Sequence, residues 1–197
     1  MNVLRVYGDR KMFLSKMNPD VQLVAARDPK RAFFGESPSL VILNKTYGDG
    51  FAASWLMPQI YDMVVYCNSK STLSDQQAEF LAEAIANEYY FLKTSELLLF
   101  FYRFKLGRYG QFYGVVDPMR VTMALDEFLK ERNIELARHE SEMQKAEEER
   151  RRRENPPVTP QEYCRNNGYP EFDNVLDVIN YEMAQEAKRA ESKSDQK

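Results

Sequence analysis

Histidine occurs once in this chain of 197 residues, tryptophan once and cysteine twice, and that scarcity removes several chemistries at the outset. The one histidine, His139, stands among glutamates and basic residues. Neither a histidine pair for a metal nor a Ser-His-Asp arrangement can be assembled around it, so a solvated imidazole on a charged face is expected. Cys67 and Cys164 lie far apart and outside any C-x-x-C pair, which leaves no zinc spacing and no disulfide framework and points to a reducing cytoplasm. Long apolar runs are also missing. The greasiest stretch, LLLFFYRF at 97–104, is interrupted by Arg103 and falls short of the roughly 18 apolar residues of a membrane span. The opening MNVLRVYGDRKMFLSKM lacks the apolar run of about 7 to 15 residues that marks a secretory signal. Excess positive charge is absent as well. A formal net charge of −3 gives no global field to draw the chain onto nucleic acid or an anionic membrane, so binding of that kind has to be local. The expectation is a cytoplasmic protein with no membrane partner, no metal and no cofactor.

What the chain does hold is helix punctuation. In SPSLVILNKTYG, Ser37 suits an N-cap, Pro38 the first helical position and Gly48 the left-handed close, predicting a helix from about Pro38 to Tyr47. A second helix runs to about Tyr66 with Leu56, Ile60, Val64 and Cys67 on one face. Its start is open: Ser54 caps it with Pro58 in the first turn, or it begins near Gly50 and bends at Pro58. Ser74 and Gln77 form a capping box for a third helix with Leu81, Ile85 and Tyr89 inside. A fourth restarts at Thr94, is apolar on most sides and ends at Gly107, as the central helix of a bundle would. From Pro118 to about Glu154 strong helix formers run without glycine or internal proline, predicting one helix of about 36 residues and 54 Å. Val121, Leu125, Phe128 and Leu136 make its packed stripe. The half beyond Leu136 is held by Glu147 with Arg151, Glu148 with Arg152 and Glu149 with Arg153 at i, i+4. EEERRRR is therefore read as a salt-bridged helix face rather than a basic run. Thr159, Pro160 and Glu162 cap a short helix, and a last one carries Phe172, Val175, Leu176, Ile179 and Met183 on one face.

The fold class is thus all-α: a compact bundle over 37–136 and a projecting solvated arm over 137–154, then a short helical segment over 155–186 and a disordered tail over 187–197. Residues 1–36, broken by Pro19 and Pro29, read as irregular.

The stretch RFKLGRYGQFYGVVDP, residues 103–118, combines glycines, cations and rings. Gly107, Gly110 and Gly114 match neither the P-loop nor the dinucleotide spacing, and Asp117 at the next helix start would repel a phosphate. An architectural reading accounts for each residue type. Gly107 closes one helix, Arg103, Lys105 and Arg108 oppose the negative end of its dipole, Tyr109, Phe112 and Tyr113 pack the connector, and Asp117-Pro118 opens the next helix. The competing reading is single-stranded nucleic-acid binding, with Arg103, Lys105, Arg108 and Arg120 on phosphates and Tyr109 and Tyr113 stacking on bases. Glu127 with Glu131, or Glu131 with Glu135, one turn apart, could pair to hold a metal, and the Glu127–Glu131 pair would serve a metal-assisted hydrolase, but Lys130 and Arg132 beside them fit an ordinary mixed helix surface. The stripe Phe172, Val175, Leu176, Ile179 and Met183 either folds back on the bundle or lies in a groove of a protein partner.

The segments GFAASWLMPQIYDMVVYC and EYYFLKTSELLLFFYRFKLGRYGQFYGVVDPMRVTMALDEFLKER resemble a group of uncharacterised proteins carried on bacterial mobile elements and prophages of the Bacteroides type. The likeness covers about residues 37–138 and centres on Tyr102 to Pro118. It supplies no functional residues. It implies a setting, a small cytoplasmic accessory to an element's replication or maintenance, similar in role to a helicase-loading adaptor. A non-enzymatic adaptor with a protein partner is the leading expectation.

Overall fold

The computed structural model describes residues 2–67, 73–110 and 117–194, and every regular element among them is helical. The only extended pairing among the described residues is an isolated bridge between Ser39 and Lys93. None of the described helices is long and apolar enough to cross a membrane.

The N-terminal 36 residues, expected to be irregular, instead form α1 (Val3–Tyr7), α2 (Arg10–Lys16), a 3-10 turn (Pro19–Val21), α3 (Gln22–Arg27) and α4 (Pro29–Phe34). Proline here starts elements rather than breaking them. Pro19 and Pro29 occupy first helical positions, where a missing N–H costs nothing, and each follows an Asx cap. Asn2, Asp9, Asn18 and Asp28 accept from the backbone N–H groups of Arg5, Met12, Asp20 and Arg31 at 3.2, 2.8, 3.0 and 2.9 Å.

Helices this short do not hold on propensity alone. Their open C-terminal carbonyls are taken up by side chains instead. Lys16 Nζ donates to the Val6 carbonyl at 3.1 Å, Lys93 Nζ to those of Phe33 and Gly35 at 2.8 and 3.1 Å, and Ser95 Oγ to that of Ala32 at 2.7 Å. The segment also contributes core. Val3, Phe13, Met17, Ala32 and Phe33 are buried, and Phe13 sits among the rings of Tyr7, Tyr47, Phe51 and Trp55 at centroid distances of 5.1 to 6.5 Å.

Helix α5 is Leu40–Tyr47 and begins two residues later than Ser37-Pro38 predicts. Its first-turn N–H groups are satisfied from elsewhere in the chain: Leu40 and Val41 donate to the carbonyls of Leu92 and Tyr90 at 3.0 and 2.9 Å. The Pro38 carbonyl accepts from Thr94 N–H, and Ser37 Oγ pairs with Ser95 Oγ at 2.6 Å. Helix α6 (Phe51–Tyr66) resolves the open start in favour of Gly50, which takes a left-handed φ of +76°, with Pro58 inside the helix. Its buried Trp55 and Gln59 both donate to the Met17 carbonyl, at 2.7 and 3.1 Å, and Gln22 donates to Gln59 at 2.7 Å. Hydrogen bonds as well as apolar contact therefore lock α6 onto the N-terminal turns. Helix α7 (Asp75–Glu88) starts on the capping box of Ser74 and Gln77, both of whose bonds are formed. Helices α8 (Thr94–Lys105) and α9 (Pro118–Glu154, 37 residues) match the reading of the sequence, and α9 buries Val121, Ala124, Leu125 and Phe128.

Two compact units result, residues 1–139 and 140–197. The core of the first thus reaches well upstream of residue 37. His139, expected to be solvated, stacks on Phe34 at 4.0 Å between ring centroids. In the second unit the predicted i, i+4 pairs on α9 form at 3.6, 2.6 and 3.9 Å. Helices α10 (Pro160–Asn167) and α11 (Val175–Ser194) follow. The tail expected to be disordered from 187 is helical to Ser194, because glycine and proline are absent and alanine, glutamate, lysine and arginine favour helix. Residues 195–197 lie outside the described ones.

Candidate functional site

At the C-terminal end of α8 the structure assembles most of the basic and aromatic cluster and engages it internally. Arg103 Nη1 and Arg108 Nε each lie 2.9 Å from a different oxygen of Glu131, and Lys105 Nζ lies 2.7 Å from Asp62. Arg103 and Lys105 also sit over the rings of Phe33 and Tyr66. Gly107 and Gly110 adopt φ of +73° and +109°, which a residue with a Cβ takes only under strain, so the turn itself demands both glycines. Asp117 caps α9 by accepting from Arg120 N–H at 2.8 Å, and the Arg120 side chain is exposed with no ion-pair partner among the described residues. Phe112, Tyr113 and Gly114 lie outside the described residues. The carboxylates considered for a metal are likewise engaged: Glu127 by Lys130, Glu131 by two arginines and Glu135 by Arg138.

Tyr109 stacks on Phe100, with centroids 5.7 Å apart, and its hydroxyl is buried without a hydrogen-bond partner among the described residues. Burial, reinforced by Glu131 and opposed by Arg103, pushes its phenol up to about 12 from 10.0. A raised folded-state value stabilises the fold fully below the unfolded value and is lost as pH rises through the folded one. Stability should therefore decline between about pH 10 and 12 as the unfolded chain releases a proton that the folded chain retains. In Tyr109→Phe that part of the alkaline decline flattens, and neutral-pH stability is unchanged or slightly raised, read by denaturant unfolding across the pH series.

A second polar knot lies on the same pair of helices, and the sequence reading did not find it. Glu96 is fully buried; one of its oxygens lies 2.8 Å from Arg132 Nε and the other accepts from Lys93 N–H at 2.8 Å. Arg132 in turn lies over the Phe91 ring. The available signal was a glutamate three residues after a helix boundary, the acidic half of a capping box. Glu131 and Arg132 are adjacent on α9, yet they reach α8 residues about 10 Å apart along its axis.

In the second unit the predicted apolar stripe divides. Phe172 packs on Tyr181, with centroids 5.5 Å apart, whereas Val175, Leu176, Ile179 and Met183 are 61, 71, 44 and 64 % exposed. The face of α11 that packs is a different one. Val178 is buried, Tyr181 meets Tyr169, and Glu182 accepts from Tyr163 OH at 2.8 Å. Between α10 and α11 lies a groove of about 230 Å³ lined by Val158, Pro160, Tyr163, Val175, Val178 and Ile179, with Glu182 at its side.

Taken together, the fold and these two regions define an all-α protein whose cations at the end of α8 are paired internally and whose helix α11 exposes an apolar face. The chain belongs to DUF6633, a family of unknown function, whose family model matches residues 71–174, just over half of the sequence. No curated protein and no solved structure matches it.

Proposed function

We propose that the chain is a non-enzymatic adaptor that engages a protein partner through α11, in the setting of a mobile element's replication or maintenance that the resemblance implies. The observation that carries this reading is the exposure of Val175, Leu176, Ile179 and Met183 beside the α10–α11 groove. Val175, Ile179 and Met183 follow one another at i, i+4 and i+8, with Leu176 alongside, the spacing by which a helix presents one apolar face to a partner. The buried position of α11 among the described residues is Val178, and Leu176 and Met183 stay largely open to solvent while Val175 and Ile179 border the groove. At the other candidate region Arg103, Lys105 and Arg108 already have carboxylate partners, which supports an architectural role for residues 103–108.

The test is affinity capture by the full chain, by a version ending at Glu154, and by Leu176→Asp with Ile179→Asp. Partner recovery should fall at least about tenfold in both altered forms, the equivalent of about 1.4 kcal/mol. Circular dichroism should show the doubly substituted chain as helical as the parent. Equal recovery from all three removes the reading.

A further inference from the structure

The overall charge of −3 conceals a local inversion. Residues 2–31 carry seven cations against three carboxylates, a net of +4. Two of those carboxylates, Asp9 and Asp28, are occupied as helix caps. Arg5, Lys16, Arg27, Lys30 and Arg31 are all exposed, and none has an ion-pair partner among the described residues. The cations at 103–108 stand in the opposite condition, each already paired.

Exposed aliphatic side chains are interleaved with these cations. Leu4 and Val6 flank Arg5, and Met12, Leu23 and Val24 are also open to solvent. Contacts bring Val6, Met12, Lys16, Val24 and Arg31 around the end of α1. Lys16 bonds the Val6 carbonyl, and Met12 covers Gly8 so closely that a Cβ there would meet its sulfur at 2.7 Å. Val24 and Arg31 line, with Tyr7 and the carboxylates Asp28 and Glu36, a cavity of about 360 Å³ that Met17, Ala25 and Leu98 also border. Burial raises the Tyr7 phenol above its ordinary value, and the Arg31 charge opposes that rise.

We infer that this N-terminal face docks peripherally on an anionic lipid surface. Charge complementarity selects a polyanion, and the aliphatic tips select among polyanions. Nucleic acid offers bases that reward aromatic stacking, but the exposed apolar groups here are aliphatic and Tyr7 is half-buried. A bilayer interface accepts both groups side by side: methyl tips enter the acyl boundary while arginine and lysine stems lie along it with their charges at the headgroups. A protein groove would instead favour apolar residues gathered apart from the charges.

The full chain tests this by co-sedimentation with vesicles of phosphatidylserine and phosphatidylcholine in equal parts, against pure phosphatidylcholine. Binding to the mixed vesicles alone is expected, lost at high salt. It should weaken at least about tenfold in Arg27→Glu/Lys30→Glu/Arg31→Glu and, separately, in Leu4→Ser/Val24→Ser. All these positions are exposed, and unchanged circular dichroism confirms that the variants fold. Arg120→Glu, an exposed cation elsewhere, should bind as the parent does. The inference falls if the chain does not sediment, sediments equally with pure phosphatidylcholine, ignores either set of substitutions, or binds an oligonucleotide more tightly than the mixed vesicles.

Discussion

Phe13→Ala destabilises the N-terminal unit by about 3–5 kcal/mol in denaturant unfolding. The ring has no solvent exposure and is enclosed by four other aromatic side chains, three of them on α5 and α6. Truncation leaves a cavity that these large, mutually wedged rings cannot close. The neighbouring Leu14→Ala provides the comparison, because that side chain is partly open to water and its loss should stay within about 0.5 kcal/mol. A cost below about 1 kcal/mol for Phe13→Ala would mean that the first 36 residues are an appendage rather than part of the core.

Arg132→Ala should be as damaging, at about 3–5 kcal/mol, for an electrostatic reason. It leaves the Glu96 carboxylate fully buried with only the Lys93 N–H for company. The penalty comes from stranding that charge rather than from losing an attraction. Removing both partners as Glu96→Leu/Arg132→Met should therefore recover a large part of the loss, with a coupling in the double-mutant cycle of about 0.5 to 3 kcal/mol. Additive losses would show that the two side chains do not share one network. Arg120→Ala, on the same helix but exposed and without an ion-pair partner among the described residues, should change stability by less than about 0.5 kcal/mol.

The features legible in the sequence are those whose cause is local. The Ser74–Gln77 capping box, the cap at Asp117-Pro118, the glycine closing α8 and the extent of α9 each depend on residues within one turn, and each formed as read. The N-terminal helices escaped because their prolines were weighed without the asparagine and aspartate caps before them. Their stability also depends on Lys93 and Ser95, about sixty residues downstream, which no local window contains. The start of α5 shifted for a similar reason, since the carbonyls of Tyr90 and Leu92 do the work assigned to Ser37. On α11 the apolar stripe was visible but its orientation was not. Packing is carried by Val178 and by tyrosines, one of which, Tyr163, donates to Glu182 of α11, a mixed face that a purely apolar count passes over.

The capture of the α4 carbonyls by Lys93 and Ser95 also bears on how the chain is made. A ribosome releases α1 to α4 first, yet the groups that close the end of α4 emerge only after most of the bundle has been synthesised. Until then α4 has neither the length to persist alone nor the donors that close its end. The beginning of the polypeptide is thus obliged to wait, and its earliest residues take their final shape together with the middle of the chain.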